Sequence, residues 1–149
     1  MSAPGPPLDA DGCRRRFGAA AHAYLATTGA DQAPHLVPVT FALVADEVVV
    51  VVDHKPKRTA TLRRLRNIRE NPRVCFLVDE YAADWALLWW VRADACAEVI
   101  AAGARHDAAV GQLQARYPQY RDHVPTGPVI LARVHRWTGW SATAPGDGP

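Results

Sequence analysis

The chain predicts a mainly β domain of the α+β class: an antiparallel sheet closed into a small barrel, with helices packed outside it. Three observations lead there. Hydrophobic periodicity gives six strand segments against three helical ones. Most consecutive strands are separated by turns too short to hold a crossover helix, so neighbours must run antiparallel. The 149 residues, 49% apolar and 21% charged, suffice for one soluble core and not for two. A barrel this small fills its interior with side chains, which puts any ligand on the outside or at a subunit seam.

The elements follow in order. Residues 1–8 are rich in Pro and Gly and, like the tail 144–149, are expected to be disordered, leaving 9–143 as a single domain. Asp9 or Asp11 caps a short helix over roughly 10–21, anchored by Phe17. Tyr24 to Thr28 is a strand and GADQA a turn. His35 to Leu43 alternates as one strand, with Val37, Val39, Phe41 and Leu43 on one side and Leu36, Pro38, Thr40 and Ala42 on the other. Ala45-Asp46 turns it into the valine run Val48 to Val52. A basic helix follows, with Thr59 as its N-cap and Asn71-Pro72 as its stop. Arg73 to Val78 is a strand, DEYAADWA a loop, and Leu87 to Ile100 a long strand that turns Val91, Ala93, Ala95, Ala97 and Val99 to one face. A helix over about 104–117 carries Val110, Leu113 and Tyr117, and Pro128 to Trp137 is the last strand.

Composition narrows the function. The formal charge of +2 is too small for a nucleic-acid partner across the whole molecule. Cys13, Cys75 and Cys96 have no CxxC spacing, and the strand patterns around Cys75 and Cys96 imply buried thiols in a reducing cytoplasm. The first residues lack the apolar core of a signal peptide, and the strongly apolar runs reach only about five residues, so no membrane segment is expected. The six histidines form no HxH or HxxxH pair, which argues against a metal. Ser141 has no GxSxG context and no cysteine sits in a catalytic motif, so hydrolase chemistry has no support.

The informative segment is HKPKRTATLRRLRNIRENP. Eight of the 17 Lys and Arg residues lie from Lys55 to Arg73, against one acid, Glu70. A buried strand that exits into a basic loop and a helix start is suited to phosphate: the loop supplies point charge and the helix's free N–H groups supply directed donors. Lys55, Lys57 and Arg58 precede the helix and have no amphipathic pattern to explain them. Arg63, Arg64, Arg66 and Arg69 flank the stripe Leu62, Leu65 and Ile68, and a solvated face accounts for them as well. His54, beside the lysines, is either a phosphate ligand and proton donor or a turn cap. Pro38 within an alternating strand removes a ladder donor. That marks either a plain edge or bulge, or a free backbone edge able to read a flat heterocycle. Of the five tryptophans, Trp89 and Trp90 point to opposite faces, so at most one fills the barrel. Trp85 follows a polar loop and is the candidate to lean over a substrate cleft.

PHLVPVTFAL, VVDHKPKRT, LRRLRNIRENPRV, DWALLWWVRADACAEV and RWTGWSA occur in the order and spacing of a known group. Over roughly residues 15–143 the chain resembles the pyridoxamine-5′-phosphate-oxidase-like (PPOX class) split β-barrel proteins, and within them the branch that uses the deazaflavin coenzyme F-420. The resemblance implies a six-stranded FMN-binding split barrel forming a homodimer, with a flavin or deazaflavin in each of two clefts at the subunit seam. It lays Val37, Pro38, Val39 and Thr40 along the ring system. It sets His54, Lys55, Lys57, Arg58 and Thr59 at the phosphate end, with Arg63 and Arg64 suited to an anionic tail. The implied activity is oxidoreductase: hydride transfer between coenzyme F-420 and a small organic acceptor, with FMN in the same cleft, or a non-catalytic binder of the cofactor, as the alternatives. Pyridoxamine-phosphate oxidases bind substrate phosphate through a C-terminal arginine-bearing segment. The ending RWTGWSATAPGDGP does not match it, so vitamin B6 activity is not expected.

Overall fold

Two residues, Thr40 and Phe41, set the shape of the sheet. In the computed structural model, which describes residues 7–52 and 58–143, seven strands form one antiparallel sheet in the order β2-β1-β5-β6-β7-β4-β3. The strands are β1 (Ala23–Thr28), β2 (Pro34–Val39), β3 (Ala42–Val44), β4 (Glu47–Val51), β5 (Arg73–Glu80), β6 (Trp89–Ile100) and β7 (Val129–Ser141). Its two outermost strands, β2 and β3, are consecutive in the chain. Laid flat, such a sheet would hold its edges roughly 29 Å apart at the usual strand spacing. The link from Val39 to Ala42 reaches only about 11 Å when fully extended. The sheet therefore rolls up, and β2 and β3 meet without pairing. This is a split barrel.

The sequence reading had six strands because it ran His35 to Leu43 together. The break lies at Phe41, whose backbone bonds to side chains instead of a neighbouring strand. Its carbonyl accepts from Arg116 Nη1 at 2.7 Å and from the Tyr117 hydroxyl at 3.0 Å, and its N–H donates to that hydroxyl at 3.3 Å. Elsewhere the strands are mostly longer than expected. Asp79 and Glu80, placed in a loop by composition, pair with Trp90 and Trp89, and β7 continues to Ser141 instead of stopping at Trp137.

The helices are α1 (Ala10–Ala19), α2 (Arg58–Glu70), α3 (Ala104–Arg116) and the single turn α4 (Gln119–Asp122), with a 3-10 turn at Trp85–Leu87. Asp9 caps α1, its Oδ1 accepting from Gly12 N at 2.7 Å. Helix α1 lies at the end of the barrel where β1 begins. There Phe17, fully buried, meets Phe41, Trp137 and Phe76 at ring separations of 4.7, 5.3 and 6.2 Å. Helix α2 covers the opposite end, where β1 finishes, adding Leu65 and Ile68 to a core that includes Leu25, Val50, Val91, Ala93 and Ile130. Helix α3 packs outside, with Val110 and Leu113 against Val49, Val51 and Leu131.

Two further expectations change. Pro7 and Leu8 are not disordered: Pro7 bridges to Trp140, and Leu8 N donates to Gly139 O at 3.0 Å. The close approach depends on Gly139, where a Cβ would stand 2.8 Å from Cys13 Sγ and 3.1 Å from Leu8 Cδ1. Cys13 is buried as a free thiol, but Cys96 is exposed, because it alternates outward opposite Arg73 while Ala95 and Ala97 face in. Among the described residues no helix is long and apolar enough to cross a membrane.

Candidate functional site

The edge strand β2 and the body of α2 meet in a cationic corner. Thr27 on β1 faces inward and accepts from Asn67 Nδ2 of α2 at 3.0 Å, both side chains buried. Gly29 follows, where a Cβ would lie 2.6 Å from Asn67 Oδ1 and 2.8 Å from Glu70 Oε2; only glycine lets the turn come this close. Glu70 then accepts from Ala30 N at 2.6 Å, and Arg63 Nη2 reaches Asp31 at 3.4 Å. The β1–β2 turn is thus clamped onto α2. His35, opposite Thr27 in the register, is held beside Arg63 and Arg64.

Among the described residues, three polar atoms in this corner are buried without a hydrogen-bond partner: His35 Nδ1, Arg63 Nε and Arg64 Nε. Buried polar groups are nearly always satisfied, so an unsatisfied cluster needs an explanation. Burial, together with the charges of Arg63 and Arg64, pushes the His35 pKa down, favouring the neutral ring. Burial likewise pushes the Arg64 guanidinium down from its usual value. A desolvated guanidinium at Arg64, the partly exposed one at Arg63 and a histidine make a favourable place for an anionic oxygen, and this set fits the phosphate or carboxylate end of a flavin-type cofactor.

The sites expected from the sequence are distributed along and around β2. Val37 is half-buried against the core, Pro38 is exposed opposite Tyr24, and Val39 is buried opposite Ala23. Val39 therefore offers a ligand its backbone and not its side chain. Among the described residues β2 pairs with β1 alone, so the strand that carries Pro38 has one open edge. Thr40, just past the strand, shares a 2.6 Å hydrogen bond with the Tyr120 hydroxyl. His54, Lys55 and Lys57 lie outside the described residues. Arg58 and Thr59 open α2, with Thr59 its second residue instead of the residue before it.

Trp85 is 76% exposed on the 3-10 turn, which Asp84 caps by accepting from Ala86 N at 3.0 Å. That turn follows the Glu80 end of β5, while the α2 corner adjoins its Arg73 end. The structure does not bring Trp85 to the cationic corner; an extended ligand along β2 would have Trp85 toward its far end. Trp89 and Trp90 do part as expected. Trp89 packs on the core, donates to Glu80 at 2.9 Å and lies under Arg16 at 5.2 Å, while Trp90 pairs with Trp140 on the other face.

Sequence reasoning missed His35, whose surroundings depend on strand register. It also missed Arg116, Tyr117 and Tyr120, which hold Thr40 and Phe41 from α3 and α4. The only signal for the latter was the cluster Arg-Tyr-Pro-Gln-Tyr, legible as a helix end.

Comparison with known proteins identifies the architecture. The chain matches the family model described as pyridoxamine 5′-phosphate oxidase over residues 13–141. No curated protein sequence matches it. Among solved structures it is similar to a FAD-binding protein from Mesorhizobium loti (TM-score 0.73, 18% identity, covering 93% of this chain and 98% of that one). A conserved hypothetical protein from Mycobacterium tuberculosis is similar at TM-score 0.72 and 18% identity, covering 95% and 89%. HutZ, the heme storage protein from Vibrio cholerae, gives 0.67 and 17%, covering 85% and 90%. At these identities the structures speak for the fold alone. With a family match spanning nearly all of the folded chain, and a split barrel to go with it, the protein belongs to the pyridoxamine 5′-phosphate oxidase family.

Proposed function

We propose that this chain is an oxidoreductase that binds a flavin-type cofactor, the deazaflavin coenzyme F-420, along the free edge of β2 at a homodimer seam, and transfers hydride to a small organic acceptor. The observation that carries the reading is the cluster of three buried polar atoms without a partner among the described residues, His35 Nδ1, Arg63 Nε and Arg64 Nε, the two arginines lying on the helix that follows Lys55 and Lys57 in the sequence. An anionic end seated there gives both guanidinium Nε–H groups an acceptor, and His35 can add a third contact in the tautomer protonated at Nδ1. The bound cofactor supplies a hydride donor and acceptor in its ring. The chain's residues do the rest: cations fix one end, the β2 edge offers backbone donors and acceptors along the length, and a second subunit excludes water. A dimer is supported by the outward face of β2, β1 and β5. There Tyr24 and Leu77, 37% and 38% exposed, are direct partners in the register, and Leu36, 66% exposed, is opposite Ala26 two residues along β1. Strand β2 borders both features, with His35 turned to the corner and Leu36 to the apolar row.

A second reading, FMN or FAD in the same place, is favoured by the solved neighbour named as FAD-binding. Titration of the purified protein with coenzyme F-420, FMN and FAD separates the two, and turnover of the reduced cofactor with an added acceptor separates an enzyme from a cofactor store. Replacing Lys55 and Lys57 together by Ala should weaken binding of the cofactor by about 3–6 kcal/mol, at roughly 1.5–3 for each charge-assisted bond. Unchanged affinity in that double variant, or no binding of any of the three cofactors, would overturn the proposal.

A further inference from the structure

Helix α3 is tied through a histidine to the residue from which the basic loop departs. His106 lies buried in the first turn of α3. Its Nε2 is 2.8 Å from the carbonyl oxygen of Gly127, in the segment between α4 and β7, and its Nδ1 is 3.1 Å from Asp107 Oδ1. The same segment closes on the end of β4. Gly127 passes so near Val52 that a Cβ on it would stand 2.8 Å from the Val52 carbonyl oxygen. Val52 N donates to Pro128 O at 3.0 Å, which continues the β4–β7 pairing one step beyond Val51 and Val129. From Val52 the sequence runs on to Lys55 and Lys57.

The geometry calls for a charged ring. The Gly127 carbonyl and the Asp107 carboxylate are both acceptors, and only the imidazolium carries an N–H on each nitrogen. Once neutral, the ring must turn a lone pair toward one of the two, and that contact becomes repulsive. Among the described residues Asp107 is the charged group that faces His106. Arg105, its neighbour on the other side, is engaged with Glu98. The rest of the cavity wall beside the ring is uncharged: residues 101–102 ahead of α3, Val110 and Gln114 along it, and residues 124–126 opposite. The Gly127 carbonyl first, and Asp107 after it, raise the His106 pKa, so the ring keeps its proton to higher pH than a free histidine does.

We infer that His106 is a positioning residue for the basic loop: its imidazolium holds Gly127 and Pro128 against Val52, and loss of the proton slackens that hold, so that the grip on an anionic ligand weakens as pH rises. The sign follows from the contacts, since the tie is complete with both N–H groups present and broken at one end without them. The inference rests on the proposed function only for the ligand, whose anionic end Lys55 and Lys57 hold in that reading. The tie itself lies among α3, the segment before β7 and the end of β4, with no residue from β2 or α2.

The test has two arms, both on the full chain. Hydrogen exchange, corrected for the intrinsic pH dependence of amide exchange, follows Val52 N–H without ligand. Its protection should fall at least ~5-fold between about pH 5.5 and about pH 8, and should not vary with pH in His106→Gln. A histidine that served packing alone would change protection equally at every pH. Fluorescence titration with coenzyme F-420 over the same range should show affinity falling at least ~5-fold more in the parent than in His106→Gln. Asp107→Asn alters an exposed side chain, weakens one of the two acceptors, and should move both transitions to lower pH; it carries the test if His106→Gln does not fold. Protection of Val52 that does not change with pH in the parent overturns the inference, and so do matching pH profiles of coenzyme affinity in parent and variant. Failure of coenzyme F-420, FMN and FAD to bind at any pH strikes the function reading instead, and exchange at Val52 then decides this inference by itself.

Discussion

Replacing Arg64 by Met should move stability and affinity in opposite directions. The Arg64 Nε–H is buried with no acceptor among the described residues, and burial disfavours the charge it carries. A buried unsatisfied donor costs roughly 1–3 kcal/mol, while Met keeps most of the arginine's apolar stem. The ligand-free variant should therefore be as stable as the parent or up to about 2 kcal/mol more stable. For a chain of this size each kcal/mol raises the melting temperature by roughly 3–4 °C. Binding should go the other way. An anionic oxygen held by this guanidinium is worth roughly 1.5–3 kcal/mol, so affinity for coenzyme F-420 should fall by about 10- to 150-fold. Urea denaturation without ligand, followed by a fluorescence titration with the cofactor, reads both effects on one preparation. A variant destabilised by more than about 1 kcal/mol that binds as tightly as the parent refutes the reasoning, because Arg64 would then be a structural stem and not a ligand.

Three other outcomes are expected. Gly29→Ala drives a methyl to within 2.6 Å of Asn67 Oδ1 and should dislodge the buried Asn67–Thr27 bond, lowering stability by roughly 1–3 kcal/mol in a thermal melt; an unchanged melt would mean that the β1–β2 turn relaxes freely. Buried His106 bonds the Gly127 carbonyl through Nε2 at 2.8 Å and Asp107 through Nδ1 at 3.1 Å, and these two acceptors, the carbonyl first, raise its pKa. Its stabilising contribution should be complete below the ordinary value of 6.5 and lost as pH rises through the raised folded value, and His106→Gln should remove that loss from a pH series of melts. Arg116→Met takes from the Phe41 carbonyl its 2.7 Å donor and from the Phe41 ring a cation 4.6 Å away. It should cost about 1.5–3 kcal/mol in urea denaturation, more than an exposed arginine such as Arg121.

What the sequence disclosed, and what it hid, follows from the range of the interactions involved. The alternation Val91, Ala93, Ala95, Ala97 along β6 was legible because a period of two is local, and the Asp9 cap because its partner, Gly12, is three residues away. The break at Phe41 was not legible. Its backbone partners, Arg116 and Tyr117, are more than 70 residues distant, and nothing in VPVTFAL marks the interruption. Cys96 was misjudged by giving the usual burial of cysteine more weight than the alternation, which puts it on the side of Glu98. His35 looked ordinary because its environment is made by Thr27 across the ladder and by α2 beyond it. The charge run was plain, but separating Arg64 from solvated arginines such as Arg66 needed the helix docked on the barrel. Arg66 is 60% exposed and pairs with Glu70 at 3.8 Å.

The split in the barrel and the candidate site have one cause. Phe41 gives its backbone to α3, so β2 and β3 end at the seam without pairing. A strand edge left open invites pairing with another chain, and proteins normally blunt it. Here the blunting is partial: Pro38 removes one donor, and α2 covers the inward side at His35, but Leu36 remains exposed outside. Three features so placed are hard to explain as protection alone, because buried cationic donors left without a partner among the described residues carry a desolvation cost. Such a cost is retained where a ligand offsets it, and a ligand that offsets it must be anionic at the α2 end and able to lie along an open strand edge. That requirement comes from hydrogen-bond accounting and agrees with the cofactor shape the proposed function names.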